Sequence, residues 1–194
     1  SSPLIRTGQL ELVEDLMAHN LSEIKKTGAD TVITSCAGCY RTLKKDFEKF
    51  GKAPPVKVLH MTEFLLPLLH TLHLKKARDS PEKIVTYHDP CHLGHHLGYY
   101  EIPRQIITNI PGVKLVEMER NRKSAWCCGA GGGVKIGKPE FALKTSERRL
   151  EDVKATHASV LLSTCPFCKT NLSDANKTPG LDVVDIVELI ASLL

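Results

Sequence analysis

Between residues 9 and 26, apolar side chains return at every third or fourth position (Leu10, Val13, Met17, Leu21, Ile24), the period of a helix with one buried face. The pattern then shortens. Thr31-Val-Ile-Thr34 is a β-branched, strand-like run that ends at Cys36-Ala-Gly-Cys39, where a helical pattern resumes. A strand over 56–60 and an apolar helix over 63–72 follow. The same order recurs later: a helix over 139–156, a strand-like run from Ser159 into Cys165-Pro-Phe-Cys168, a strand over 181–184 and an apolar helix over 186–194. Self-similarity of this kind marks a duplication.

The second copy is longer at its front. It adds a strand over 84–88, then His88-Asp-Pro-Cys91-His92, a helix over 102–110 and a strand over 113–116 that leads to Cys127-Cys128-Gly129. Strands alternating with helices predict an α/β fold of two repeated halves, with mainly parallel sheets flanked by helices. Residues 1–73 form an incomplete first half. Residues 74–83, charged and carrying Pro81, read as a linker, and 84–194 as the complete half.

Composition narrows the class without naming it. With 42% apolar and 25% charged residues, the chain is globular, and a net charge of +4 spread among 22 acids argues against nucleic-acid binding. The longest apolar runs are broken by Pro67, Asp185 and Glu188 and fall short of a membrane span. The expected location is cytoplasmic, reaching a membrane only through a partner.

The cysteines change the picture. Six of the seven fall in three tight pairs: Cys36/Cys39, Cys127/Cys128 and Cys165/Cys168. In a reducing compartment such clusters bind metal or do redox chemistry. The spacing is regular, with 35 residues between Cys91 and Cys127 and 35 between Gly129 and Cys165. Carried back from Cys36, that interval puts the first copy's glycine one residue before Ser1. This predicts a longer protein whose first copy has here lost three of its five cysteines. A structural zinc or a cubane cluster takes four ligands, so a fifth thiol implies a larger or less symmetric centre. Adjacent thiols suit two ligands to one multi-iron object. Zinc remains the alternative. Pro166 suits the first turn of a helix whose dipole favours thiolates, and Gly129 to Gly133 let backbone N–H groups approach sulfur.

Cys, 35 residues, Cys-Cys-Gly, 35 residues, Cys-x-x-Cys resembles the cysteine-rich CCG domain of heterodisulfide reductases and of iron–sulfur subunits of glycolate, lactate and glycerol-3-phosphate oxidising complexes. The stretches YHDPCHLGHHLGYYEIPR, WCCGAGGGV and STCPFCKTN are most similar to the D subunits of heterodisulfide reductases. The resemblance implies a noncubane 4Fe–4S cluster on Cys91, Cys127, Cys128, Cys165 and Cys168, with Cys36 and Cys39 a remnant of a second metal site. It implies an oxidoreductase component that receives single electrons and helps cleave a disulfide. Its expected partners are a ferredoxin-like domain and a membrane cytochrome, or a flavoprotein in a 2-hydroxy acid or glycerol-3-phosphate dehydrogenase complex. A zinc-bound scaffold without redox turnover is the competing reading. His95 departs from the arginine expected after His-Leu-Gly.

Other features are weaker. His88, His92 and Gly129 are candidates for supporting hydrogen bonds around the cysteines. The structural alternative gives His88-Asp89-Pro90 the shaping of a turn and leaves His95 and His96 solvated. Gly132, Gly137 and Lys138 imitate a phosphate loop, but Pro139 stands where Ser or Thr should meet magnesium. The run Glu119–Lys123 is either an anion-attracting or a wet loop. Tyr99, Tyr100 and Trp126 belong to a docking face or to the core.

Overall fold

The computed structural model describes residues 2–75 and 82–194. The expected linker, 74–83, falls mostly on residues outside that description. Helix α1 (Leu10–Thr27) buries Val13 and Met17 and ends at Gly28, whose φ of 68° is the left-handed conformation of a helix stop. Strand β1 (Thr31–Thr34) leads into α2 (Ala37–Arg41), which continues through a wide π turn, Thr42–Asp46, to Phe47–Lys49. Strand β2 (Lys57–His60) pairs with β1 in parallel, from Thr31 opposite Lys57 to Thr34 opposite His60. The apolar helix expected over 63–72 starts earlier, as α3 (Met61–Leu65). It tightens into a 3₁₀ turn over Leu66–Thr71, where Pro67 has no N–H to give an α-helix.

The second copy forms β3 (Lys83–Tyr87), α4 (Glu101–Thr108), β4 (Val113–Leu115), α5 (Pro139–Lys154), β5 (Val160–Ser163), α6 (Pro166–Ala175), β6 (Asp182–Asp185) and α7 (Ile186–Ala191). Its sheet runs β4-β3-β5-β6, parallel throughout. All four residues of β5 are buried, as a central parallel strand covered on both faces must be. The architecture is therefore α/β, with two parallel sheets flanked by helices.

The duplication is visible in hydrogen bonds as well as in order. After β2, His60 caps α3: its ring accepts from the Thr62 N–H, and its own N–H donates to Glu63. After β6, Asp185 caps α7 in the same way, with Val187 and Glu188. Both are capping boxes at equivalent places.

The apolar clusters cross between copies. Ala37, Tyr40 and Val58 pack with Leu93, Leu161, Leu172 and Cys165. On the other side of the larger sheet, Leu69 joins Val85, Tyr87, Ile106, Leu162 and Ile186. His60 also donates Nε2–H to the Thr164 carbonyl at 3.2 Å, directly beside Cys165. Among the described residues no helix is long and apolar enough to cross a membrane.

Burial pushes the Asp185 carboxyl up to about 6, opposed by the hydrogen bond it accepts from Val187. The folded state thus holds this proton more tightly than the unfolded chain, whose value is near 3.9. Stability falls as pH rises from about 4 through 6 and levels off above. Asp185→Asn keeps an N-cap acceptor and cannot ionise. Its melting temperature should gain on the parent's between pH 4 and 6.5 in circular dichroism melts; a pH-independent difference would refute the buried carboxylate.

Candidate metal centre

Carboxyl ends of parallel strands collect functional groups because loops there are free of the sheet's hydrogen-bond ladder. Here Cys36 follows β1, Cys91 follows β3, the Cys127/Cys128 loop follows β4 and Cys165 follows β5. Cys36 and Cys165 are the N-cap residues of α2 and α6, and Pro166 occupies the first turn of α6.

The thiols form a run of neighbours that shift one another's pKa, in the order Cys39, Cys36, Cys165, Cys168, Cys128, Cys127, Cys91. The central link, Cys128 to Cys168, spans 3.3 Å between sulfurs. Cys128 and Cys168 are thus in direct contact, with Cys127 and Cys91 next to Cys128 along the run and Cys165, Cys36 and Cys39 following Cys168. Cys128, Cys165 and Cys168 are buried, whereas Cys39 and Cys127 are exposed.

Each end of the run opens into a cavity. One, of about 520 Å³, is lined by Cys36, Cys39, Cys165, Leu43, Ile136 and Phe167. The other, of about 430 Å³, is lined by Cys91, Cys127, His92, His96 and Arg6.

Charge is unevenly divided along the sulfurs. Cys36 is pushed down by hydrogen bonds from Cys165 and Cys39, and Cys127 by those from Cys128 and Cys91. The partners move the other way. Cys91 is raised by Cys127 and by burial, Cys128 by Cys127, and Cys168 by Cys128 and Cys165. Cys39 is raised by Cys36. Crowded thiols in a partly dry site cannot all ionise, so one anion is stabilised by protonated neighbours. A cation would be needed to ionise the rest.

The supports of the double cysteine come from both flanking helices. The Cys128 carbonyl accepts from Ser146 Oγ at 2.6 Å and from Asn171 Nδ2 at 2.7 Å. Gly129 donates its N–H to Cys127 Sγ at 3.3 Å. At φ of 87° it also lies so close to α5 that a Cβ would sit 2.6 Å from the Ala142 carbonyl oxygen.

The turn before Cys91 is anchored separately. Asp89 takes a bidentate pair from the buried Arg104 at 2.7 and 2.9 Å, and accepts the Arg122 N–H at 2.8 Å. His88 is wholly buried, and a ring nitrogen lies within 4.8 Å of both Cys128 Sγ and Cys168 Sγ. Burial, and then the Arg149 charge, push it down to about 3. His92 is half-buried, its Nδ1 3.0 Å from where a Cβ on Gly38 would stand; it stacks edge-on with His96.

His95 and His96 are exposed, although His95 Nε2 donates to the Lys123 carbonyl. The charged run is partly paired: Arg120 binds Asp152, and Arg122 binds Glu101. Trp126 lies 3.8 Å from the Arg120 guanidinium. Tyr99 hydrogen-bonds Glu63, and Tyr100 packs on Gly94.

Two features escape a reading of the sequence. One is the cavity that Cys36 and Cys165 line together, which depends on how the copies dock. The other is Arg149, fully buried beside His88. A signal existed for it, because Arg149 falls in line with Ala142, Ser146 and Val153 at helical spacing on the inner face of α5.

The cysteine-rich domain family model, CCG, matches residues 1–44 and 85–173, which together contain every cysteine. The chain is similar to the D subunit of the dihydromethanophenazine:CoB–CoM heterodisulfide reductase of Methanosarcina barkeri, at 45% identity over 100% of this chain and 48% of that protein. It is 41% identical to the B subunit of the fumarate reductase (CoM/CoB) of Methanothermobacter marburgensis, over 99% of this chain and 37% of that protein. A probable iron-sulfur-binding oxidoreductase, FadF of Bacillus subtilis, matches at 36% identity over 96% of this chain and 26% of its own length. The chain thus spans at most about half the length of these relatives.

Gly129→Ala should lower stability by about 2–4 kcal/mol, from a disfavoured φ and a clash with backbone. Gly137→Ala meets nothing within 4 Å and should stay within about 0.5 kcal/mol of the parent. Urea unfolding of both variants makes the comparison; equal effects would show that the close approach at Gly129 is unimportant.

Proposed function

The chain belongs to the cysteine-rich CCG-domain family, and from that footing we propose that it is the electron-transfer and disulfide-reducing module of a heterodisulfide reductase-like complex. A noncubane 4Fe–4S cluster is held by Cys91, Cys127, Cys128, Cys165 and Cys168. The observation that carries this reading is the meeting of thiols from separate chain segments, Cys128 Sγ standing 3.3 Å from Cys168 Sγ and both buried together with Cys165. The donor set fits the group: thiolates are the ligands iron–sulfur clusters take, and the mixed burial gives both a dry interior and an accessible end.

Bound there, the cluster accepts and delivers single electrons. The protein's own residues do the rest. Cys128 and Cys168 keep water from the middle of the site. Ser146 and Asn171 hold the Cys128 backbone, so the adjacent thiols point where the loop directs them. The Gly129 N–H bonded to Cys127 stabilises negative charge on that sulfur. The cavity beside Cys36, Cys39 and Cys165, with Phe167 and Ile136 on its wall, is the entry for a small-molecule disulfide. Cys36 and Cys39 are the remnant of a second metal site. Partner subunits supply the electrons: a ferredoxin-like iron–sulfur domain, with a membrane cytochrome or a flavoprotein behind it. Association with a membrane is through that partner.

Anaerobically purified chain should carry about four iron atoms and give a paramagnetic signal on redox titration. Cys127→Ser and Cys128→Ser should each lose iron or change the spectrum. Cys36→Ser should retain both, and equal losses in all three would reject the division into one whole site and one remnant. Stoichiometric zinc without iron in strictly anoxic preparations would replace this reading with that of a structural zinc domain.

A further inference from the structure

Two buried nitrogens, His88 Nε2 and Arg149 Nη2, have no hydrogen-bond partner among the described residues. The other atoms of both groups are committed. Arg149 Nη1 donates to the Asp152 carboxylate and to the Arg120 carbonyl, each at 2.7 Å. Its Nε–H points at His88 Nδ1, 3.3 Å away. Asp152 is held in turn by Arg120, which lies against Trp126. The guanidinium is thereby clamped with one N–H aimed at the imidazole.

An N–H facing Nδ1 requires a lone pair there. The ring proton must then sit on Nε2, because protonated Nδ1 would oppose donor to donor. Nε2 is the nitrogen left without a partner, and the ring stands within 4.8 Å of Cys128 Sγ and Cys168 Sγ. A metal ligand needs a lone pair at that nitrogen, which this tautomer does not have.

We infer that His88 presents an N–H and no lone pair to the Cys128–Cys168 sulfurs, so that it is a hydrogen-bond donor to the loaded centre and not a metal ligand, and that Arg149 is the positioning residue that imposes this tautomer. The inference rests on the iron–sulfur reading for its effect on potential, but the tautomer stands apart from it. An N–H aimed at a ligand sulfur favours the more negative, reduced state. Arg149 thus acts on the centre through the histidine.

Two measurements on the full chain test this. In the reduced, metal-free chain, ¹⁵N shifts of the His88 ring should report a single Nε2–H tautomer. Arg149→Met should turn it into a mixture, while Arg120 still neutralises Asp152. A dominant Nδ1–H form in the parent overturns the inference whatever metal the protein binds.

In the iron-loaded chain, His88→Leu should keep its iron. At the parent's midpoint, its reduced-to-oxidised ratio should fall about three- to tenfold, tenfold being about 59 mV for one electron. His88→Gln, which retains an N–H, should recover part of the loss. An unchanged ratio in His88→Leu, or directly bonded histidine nitrogen in pulsed EPR of the ¹⁵N-labelled parent, overturns the inference even if His88→Leu does not fold. A parent chain without iron sinks the proposed function instead, and the ¹⁵N shifts still decide the tautomer.

Discussion

Seven thiols placed in line, several without access to water, cannot all carry charge. That electrostatic constraint governs the site. Neighbouring sulfurs pull in opposite directions, Cys36 and Cys127 being pushed down and Cys128 up. Such an arrangement favours a multivalent cationic centre, because only added positive charge allows the remaining thiols to ionise. The buried Arg149 is paired with Asp152, and its Nε–H faces His88 Nδ1.

The scaffold meets this constraint with rigid parts. Each Cys-x-x-Cys begins at the N-cap of a helix that packs back on its own strand. The copies are locked by apolar contact, by Tyr40 and Val58 against Leu161 and Leu172, and by His60 reaching the Thr164 carbonyl. The loop carrying Cys127 and Cys128 has no strand to stiffen it. Its carbonyl is instead gripped by α5 and α6, and its glycine is pressed on α5 where no side chain fits. The Asp89–Arg104 pair plays the same part for the turn before Cys91. A buried pair of this kind adds little net stability, and what it contributes is a defined geometry.

Much of this was legible in the residue pattern. Helical and strand periods located nearly every element within a few residues, since those periods report which face is buried. The duplication was plain from order alone and is repeated in the capping boxes of His60 and Asp185. The position of Cys91, of the Cys127/Cys128 loop and of Cys165 after strands was also legible, and parallel strands end at one edge. Helix 63–72 was misjudged at its start, where the His60 cap, not the apolar run, sets the boundary.

The sequence by itself determined the α/β class and the repeat, and it placed the cysteines after strands, for these depend on local periodicity and on spacing along the chain. Only the tertiary structure decided that Cys36 and Cys165 line one cavity, that a second opens beside Cys91 and Cys127, and that Arg149 aims an N–H at His88. Those are relations between surfaces far apart in the chain. They arise from how two packed layers dock, and no local period records that.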